Sequence, residues 1–126
     1  KDLLLGLSGH LGSGKTTFLQ GFASGLGIKE RILSPTFVLM KRFYVKNPKF
    51  KNFYHIDCYR LRAAQELQKL NWKQIISHRE NIVAVEWADI VRKAMPLRTL
   101  WIKCEYLNAE NRKIIFRGEQ FKTVLN

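Results

Sequence analysis

The chain has 126 residues, of which 46% are hydrophobic, and this is enough for a single domain with a buried core. Its 22 lysines and arginines outnumber the 10 acidic residues, and the formal net charge of +12 favours anionic partners. No apolar run approaches the roughly 20 residues of a membrane span, so we expect no contact with a membrane.

We expect a cytoplasmic protein with reduced thiols, because the two cysteines form no CxxC pair and no stretch fits a signal peptide. The chain begins with Lys1 and Asp2, goes straight into an apolar run and lacks an initiator methionine. We therefore expect one domain over residues 1–126, with an N-terminal segment missing before it.

The first predicted element is a buried strand over residues 3–8, an apolar run of suitable length. The next eight residues, Gly9–Thr16, read GHLGSGKT and match the P-loop pattern of a glycine, four free positions and Gly-Lys-Thr. After them, Phe18, Leu19 and Phe22 share one face of a predicted helix. A strand, a glycine-rich loop and a helix in this order are the context in which a P-loop binds phosphate.

The P-loop predicts a site for a nucleoside triphosphate, with loop N–H groups and the helix N-terminus facing the phosphates. Lys15 can reach the β- and γ-phosphates, and the Thr16 hydroxyl can bind Mg²⁺. His10 is expected to point outward. Thr36, in a turn constrained by Pro35, either senses the γ-phosphate or stabilises the turn. The loop residues predicted to contact nucleotide are Gly9, Leu11, Gly12, Ser13, Gly14, Lys15, Thr16 and Thr17.

The remaining elements do not alternate regularly between strand and helix. Strands are predicted at 31–33, 37–45, 53–58, 81–86, 99–106 and 112–116, with hairpins joining the second to the third and the fifth to the sixth. Helices are predicted at 63–70 and 88–95, and Trp72, Ile75 and Ile76 have helical spacing. The pattern predicts an α/β fold, a P-loop NTPase-like three-layer sandwich with a mixed, mostly parallel central sheet and added hairpins.

Two predicted strands end in a carboxylate, at Asp57 and Glu86. Both follow apolar runs, so we expect both at the carboxyl edge of the sheet, where they can hold Mg²⁺ together with Thr16. His55 is predicted either to orient Asp57 by a hydrogen bond or to pack in the core. Trp87 either packs in the core or lines the nucleotide site.

A basic segment over residues 41–62 carries seven lysines and arginines against one acid, and so holds half of the net charge. Four aromatic residues interleave with the basic ones, namely Tyr44, Phe50, Phe53 and Tyr54. This composition is compatible with an RNA-binding face, although alternating aromatic residues in a hairpin more often belong to the core.

Four blocks of the sequence together resemble one family. They are the P-loop at 9–17, Ser34-Pro35-Thr36-Phe37, Tyr54-His55-Ile56-Asp57-Cys58-Tyr59-Arg60-Leu61 and Val85-Glu86-Trp87. In this order and spacing, over roughly residues 3 to 96, they resemble the TsaE family (formerly YjeE), small bacterial ATPases of the tRNA threonylcarbamoyladenosine (t6A) pathway.

The resemblance implies a cytoplasmic Mg-dependent ATPase that works with the TsaD and TsaB proteins. TsaD transfers the threonylcarbamoyl group to adenosine 37 of tRNA, and ATP binding and hydrolysis by TsaE support multiple turnovers of that complex. Contact with tRNA would be indirect or through residues 41–62.

The family's site residues carry over by motif. Lys15 and Thr16 would bind phosphate and Mg²⁺, and Thr36 would act near the γ-phosphate and the metal. Asp57 and Glu86 would be the acids around Mg²⁺ and the attacking water. The remaining assignment places Trp87 near the nucleotide.

The sequence departs from the family pattern at two loop positions and before the first strand. The family commonly has Asp where this chain has His10, so the charge at the mouth of the site differs and contacts with a partner are expected to differ. It commonly has Ala at Ser13, a benign exchange. Members usually carry a helical segment before the first strand, and if that segment holds adenine, this chain binds nucleotide poorly.

Two other functions stay open on the sequence alone. A nucleotide-gated docking module would bind ATP without relevant turnover and would use residues 41–62 on a protein or RNA partner. A small P-loop kinase would need an acceptor pocket and a lid, for which the chain offers only the short stretch after Arg60.

Overall fold

Six strands form one mixed sheet in the computed structural model, which describes residues 3–10, 12–32, 40–61 and 64–118. The strands are β1 (Leu3–Ser8), β2 (Met40–Tyr44), β3 (Asn52–Asp57), β4 (Asn81–Glu86), β5 (Leu100–Tyr106) and β6 (Arg112–Arg117). Their order across the sheet is β2-β3-β4-β1-β5-β6. The pairs β3–β4, β4–β1 and β1–β5 are parallel, whereas the outer pairs β2–β3 and β5–β6 are antiparallel. The predicted mixed, mostly parallel sheet with added hairpins is confirmed.

Helical segments cover the two faces of the sheet. On one face lies α1 (Lys15–Gly25), and on the other lie a 3-10 helix (Ala64–Leu70), α2 (Trp72–Ser77) and a short 3-10 helix (Arg92–Ala94). Side chains alternate between the two faces along β1, because Leu5 packs on the α1 side and Leu4 on the opposite side. Two separate cores result, one on each side of the sheet, as a three-layer sandwich requires. No helix within the described ranges is long and apolar enough to cross a bilayer.

The first helix ends at Gly25, and hydrogen bonds close its last turn. The N–H of Gly27 donates to the carbonyl of Ser24 and that of Ile28 to the carbonyl of Ala23, both at 3.0 Å. This pair of bonds is a Schellman motif, which needs a left-handed residue, and Gly27 supplies it with φ 83°. Ile28 is then buried against the core on the α1 side of the sheet.

The prediction of a helix at 88–95 is wrong over its first half, residues 88–91. The chain there makes successive tight turns, and only the short 3-10 helix named above follows. The N–H of Ala88 donates to the carbonyl of Leu7 in β1 at 3.0 Å, which ties the backbone to the sheet where a helix would begin. The indole N–H of Trp72 donates a hydrogen bond to the carbonyl of Ala94 at 3.0 Å. These tertiary hydrogen bonds outweigh a weak local preference for helix.

Two further predicted elements also differ. The segment at 63–70 is a 3-10 helix over its described part, and Leu67 is the one residue that it buries there. The strand predicted at 31–33 is not formed over its first two residues, and the third lies outside the described residues. Ile32 is buried, and its carbonyl accepts a hydrogen bond from the side chain of Gln20 at 3.0 Å instead of a strand partner.

Both cysteines are free thiols, as predicted, and both are buried. Burial raises the pKa of Cys58 to about 12 and also raises the pKa of Cys104. Both groups are therefore protonated and poorly reactive at neutral pH.

Candidate nucleotide site

The P-loop connects the carboxyl end of β1 to the first residue of α1. Gly9, Gly12 and Gly14 have φ values of 137°, 78° and 105°, in the region that favours glycine. A Cβ atom at Gly9 would fall on the carbonyl oxygen of Cys104 in β5, so a larger residue would not fit there. No side chain caps the N-terminus of α1 at Gly14, which leaves the helix dipole directed at the loop.

Lys15 begins α1 and is only 5% exposed. Its Nζ donates to the carbonyls of Gly9 at 2.5 Å and His10 at 3.1 Å, and it lies 4.0 Å from the centre of the Trp87 ring. Burial lowers the pKa of Lys15, and the charge of Glu86 opposes that shift. The ammonium is thus held by neutral acceptors, which anionic phosphate oxygens can replace with stronger bonds. The side chain of His10 is exposed, as predicted.

Glu86 ends β4 and is 2% exposed. The hydroxyl of Thr16 donates to Glu86 Oε1 at 3.3 Å, and Glu86 Oε2 lies 2.6 Å from His55 Nε2. His55 is buried, as one of the two alternatives predicts, but its hydrogen bond goes to Glu86 and not to Asp57. Asp57 pairs with Glu86 across β3 and β4, and His55 lies two residues before Asp57 on β3. All three side chains therefore lie on the same face of the sheet, where His55 can reach Glu86.

Asp57 ends β3 directly beside Glu86 and is 9% exposed. Its Oδ1 accepts the N–H of Tyr59 at 2.9 Å. Burial raises the pKa of Asp57, and the nearby charge of Glu86 adds to the rise, whereas the Tyr59 hydrogen bond opposes it. Two neighbouring carboxylates of this kind favour a cation beside them.

We expect Asp57→Asn to make the unliganded protein more stable at neutral pH, because asparagine keeps an oxygen for the N–H of Tyr59 and removes a charge that burial disfavours. The pKa of Asp57 is raised in the folded state above its ordinary value of 3.8. The stability that its protonation contributes is therefore present below that ordinary pKa and lost as the pH rises through the folded pKa. Urea denaturation from acid to neutral pH should show the largest gain in the free energy of unfolding of Asp57→Asn over the parent near neutrality, and no gain in acid. A variant less stable than the parent at neutral pH would contradict this.

Trp87 follows β4 with a φ of 58°, a left-handed conformation that bulky residues rarely adopt. Its ring lies 5.0 Å from the ring of Tyr59 and next to the ammonium of Lys15. Backbone strain of this kind persists where the surrounding structure imposes it, and such positions cluster at functional sites. The ring thus lies beside the P-loop lysine and also packs, partly buried, against the core on the side of the sheet opposite α1, and its contact with nucleotide stays a prediction.

One cavity of about 770 Å³ brings most of the predicted site residues together. Its lining includes Gly12, Ser13, Gly14, Lys15, Thr16 and Thr17 from the loop and helix, and Asp57, Glu86 and Trp87 from the strand ends. Gly9 lies at the base of the loop, outside this lining, and Leu11 and Thr36 lie outside the described residues. The volume suits a ligand the size of a nucleotide.

The same cavity has lining residues that the sequence did not indicate as a group. They are Phe18, Tyr59, Arg60, Ala109, Glu110, Arg112 and Ile114. The last four come from the β5–β6 hairpin, about a hundred residues after the P-loop. No local sequence pattern marks these four hairpin residues, and only the position of β5 next to β1 in the sheet brings them to the P-loop.

The sequence and the fold have counterparts among known proteins. A family model described as threonylcarbamoyl adenosine biosynthesis protein TsaE matches residues 1–114. The chain belongs to the TsaE family. The resemblance carried by the four sequence blocks is therefore confirmed.

Several curated TsaE proteins and one solved structure are similar over most of the chain. The tRNA threonylcarbamoyladenosine biosynthesis protein TsaE of Bacillus subtilis is 36% identical over 113 residues, covering 90% of this chain and 68% of that protein. The protein of the same name from Treponema pallidum is 33% identical, covering 86% of this chain and 76% of the relative. The crystal structure of Bacillus subtilis YdiB aligns with a TM-score of 0.70 and 29% identity, over 98% of this chain and 74% of that one. These matches confirm the predicted fold.

The residues present fit a magnesium ion that is bound together with nucleotide. Within the described ranges, no group of three or more His, Cys, Asp or Glu side chains could hold a metal ion by itself. Mg²⁺ usually takes one or two protein oxygens together with phosphates and water. The Thr16 hydroxyl and the carboxylates of Asp57 and Glu86 are donors of this kind, and all three line the same cavity.

The aromatic residues of the basic hairpin divide between the core and the surface. Phe53 is buried in the core on the α1 side, and Phe50 and Tyr54 pack partly buried against the cores on the two sides of the sheet, as the more common role predicts. Tyr44 is 74% exposed and hydrogen-bonds with the guanidinium of Arg42. Contact of this hairpin with RNA stays a prediction.

Proposed function

We propose that the chain is a weak, Mg-dependent ATPase of the cytoplasm that supports threonylcarbamoylation of adenosine 37 in tRNA together with TsaD and TsaB. The observation that carries the proposal is the joint position of Lys15, Thr16 and Glu86. They come from two distant parts of the chain and line one cavity, with Thr16 Oγ1 3.3 Å from Glu86 Oε1. Membership of the TsaE family supports a role in the t6A pathway, and TsaD and TsaB are the partners that such a role implies.

Phosphate binding would use the loop and the start of α1. The backbone N–H groups of the loop and the helix dipole stabilise the negative charge of the phosphates. Lys15 would leave the carbonyls of Gly9 and His10 and bind phosphate oxygens instead. Because this lysine is already buried beside the loop, little further desolvation is needed when nucleotide enters.

The metal would be held by the Thr16 hydroxyl with Asp57 and Glu86. When bound, Mg²⁺ supplies positive charge that stabilises the phosphate oxygens during transfer. Glu86 would also orient the attacking water. The hydrogen bond to His55 holds Oε2 of Glu86, so the carboxylate stays in one position while Oε1 of Glu86 faces Thr16. In this proposal Trp87 lies beside the nucleotide, and Thr36 acts near the γ-phosphate.

Reconstitution of t6A formation tests the function as a whole. TsaD and TsaB are incubated with tRNA, threonine-derived donor and ATP, with this chain, without it, or with its Lys15→Ala variant. We expect several rounds of modification per complex only with the unsubstituted chain, because the variant loses the cation that binds the β- and γ-phosphates. Equal multiple-turnover yields in all three reactions would overturn the proposal. Pulldown of TsaD and TsaB without ATP turnover would favour the docking module instead.

A further inference from the structure

The side chain of Arg112 joins two parts of the chain that are far apart in sequence. Arg112 is the first residue of β6, and its Nε donates to the carbonyl of Gly12 in the P-loop at 3.0 Å. Its Nη1 donates to the carbonyls of Asn108 at 2.6 Å and Asn111 at 3.1 Å. The guanidinium thus links the apex of the P-loop to the turn between β5 and β6.

The turn that holds Arg112 is itself well ordered by hydrogen bonds. The side-chain oxygen of Asn108 accepts the backbone N–H groups of Glu110 and Asn111, both at 2.9 Å. The guanidinium carbon also lies 4.5 Å from the centre of the Tyr106 ring, in a cation–π contact. Arg112 is therefore held by the β5–β6 hairpin, so that its hydrogen bond to Gly12 can restrain the P-loop.

The aliphatic part of Arg112 lies near Gly14, beside the start of α1. A Cβ atom built at Gly14 would lie 3.5 Å from Arg112 Cγ, an ordinary contact distance. Arg112 and Lys15 line the same cavity. The bond occupies the carbonyl of Gly12 and so restrains this peptide of the P-loop from the hairpin side.

We propose that Arg112 is a positioning residue of the nucleotide site, which holds the P-loop in its phosphate-binding conformation before nucleotide arrives. It acts through the loop backbone, and the ordered Asn108–Asn111 turn is its anchor. The inference rests on the proposed function in so far as the ligand of the loop is a nucleoside triphosphate.

Binding measurements with two ligands test this role. We expect Arg112→Ala to weaken binding of both ATP and inorganic tripolyphosphate by about five- to twentyfold, the range that one or two charge-assisted hydrogen bonds support. Arg112→Lys should recover part of the loss, because lysine can reach one carbonyl but not all three. The KM for ATP should rise, whereas kcat at saturating ATP should stay within about twofold, since bound phosphates order the loop.

Two controls separate positioning from charge and from folding. Lys113→Ala removes a charge of the same sign from the next residue of β6, which projects from the opposite face of the strand and is absent from the lining of the nucleotide cavity. It should leave both affinities unchanged. Asn108→Ala disturbs the anchor without touching the loop. Combined with Arg112→Ala, it should add little to the loss of affinity, because both variants break the same link.

Hydrogen exchange in the unliganded protein gives a readout that does not depend on nucleotide. Arg112→Ala should speed exchange of the amides at 12–14, while the melting temperature stays close to that of the parent. Unchanged exchange and affinities would overturn the proposal, as would a loss confined to ATP with tripolyphosphate unaffected, which would indicate a contact with the nucleoside. If the parent binds neither ligand, the proposed function fails, and the exchange rates still decide the role of Arg112.

Discussion

Replacing Glu86 by glutamine is expected to lower the rate of ATP hydrolysis by at least about a hundredfold, the usual minimum contribution of a positioned acid or base. Glutamine keeps the size of the side chain and an oxygen for its neighbours, but it lacks the negative charge with which Glu86 is proposed to orient the attacking water. Because Lys15 and the loop still bind phosphate, and Thr16 and Asp57 still offer oxygens to Mg²⁺, the affinity for ATP should stay within about threefold. Phosphate release measured at saturating Mg-ATP, alongside equilibrium binding, separates the two effects.

A matched control lies just before the other end of the same strand. Glu80 precedes β4, its side chain is 41% exposed, and it pairs with Lys51 at 3.3 Å, far along the strand from the P-loop. Glu80→Gln should leave hydrolysis and binding unchanged. Hydrolysis by Glu86→Gln at the parental rate would remove Glu86 from the chemistry. A parent protein that binds ATP without measurable hydrolysis would favour the nucleotide-gated docking module.

The second large effect is expected from Phe53→Ala, which should lower the free energy of unfolding by about 3–5 kcal/mol, the usual cost of removing a fully buried phenylalanine. Phe53 is 0% exposed and lies on β3, between β2 and β4 in the sheet. Its ring lies 5.9 Å from that of Phe22 on α1 and 6.0 Å from that of Phe43 on β2. The alanine variant leaves a cavity between the sheet and the helix that starts at the P-loop.

Urea denaturation monitored by circular dichroism measures this loss. Leu97→Ala is the control, because Leu97 is fully exposed and should change the free energy of unfolding by less than about 0.5 kcal/mol. A cost below about 1 kcal/mol for Phe53→Ala would mean that the core closes over the gap, contrary to the tight packing expected of such sites. The affinity of Phe53→Ala for ATP should fall only if the cavity also displaces the first turn of α1, which begins at the P-loop.

The parts of the molecule that the sequence predicts well are those whose determinants are local. The strand, loop and helix around residues 3–25 follow each other directly, so an apolar run and a glycine pattern suffice to place them. Asp57 and Glu86 follow for a similar reason, since each ends a buried strand and parallel strands bring their carboxyl ends to one edge.

The parts that the sequence does not predict depend on neighbours brought in by the fold. The helix expected at 88–95 is interrupted because Ala88 bonds to β1, a partner some eighty residues earlier. His55 and Glu86 meet only through the register of β3 against β4, and periodicity within one strand carries no information about that register. The contact between Arg112 and Gly12 spans 100 residues and has no sequence signature.

The order of the strands has a consequence for how this protein is made. The central strand β1 is synthesised well before its two neighbours in the sheet, β4 and β5, which begin at Asn81 and Leu100. On the ribosome, the P-loop strand must therefore wait until β4 has been made before it can pair. Long-range strand pairing of this kind is slow and leaves apolar strands open to aggregation. A fragment that stops before β4 should accordingly be insoluble or bound by chaperones, even though it holds the entire P-loop.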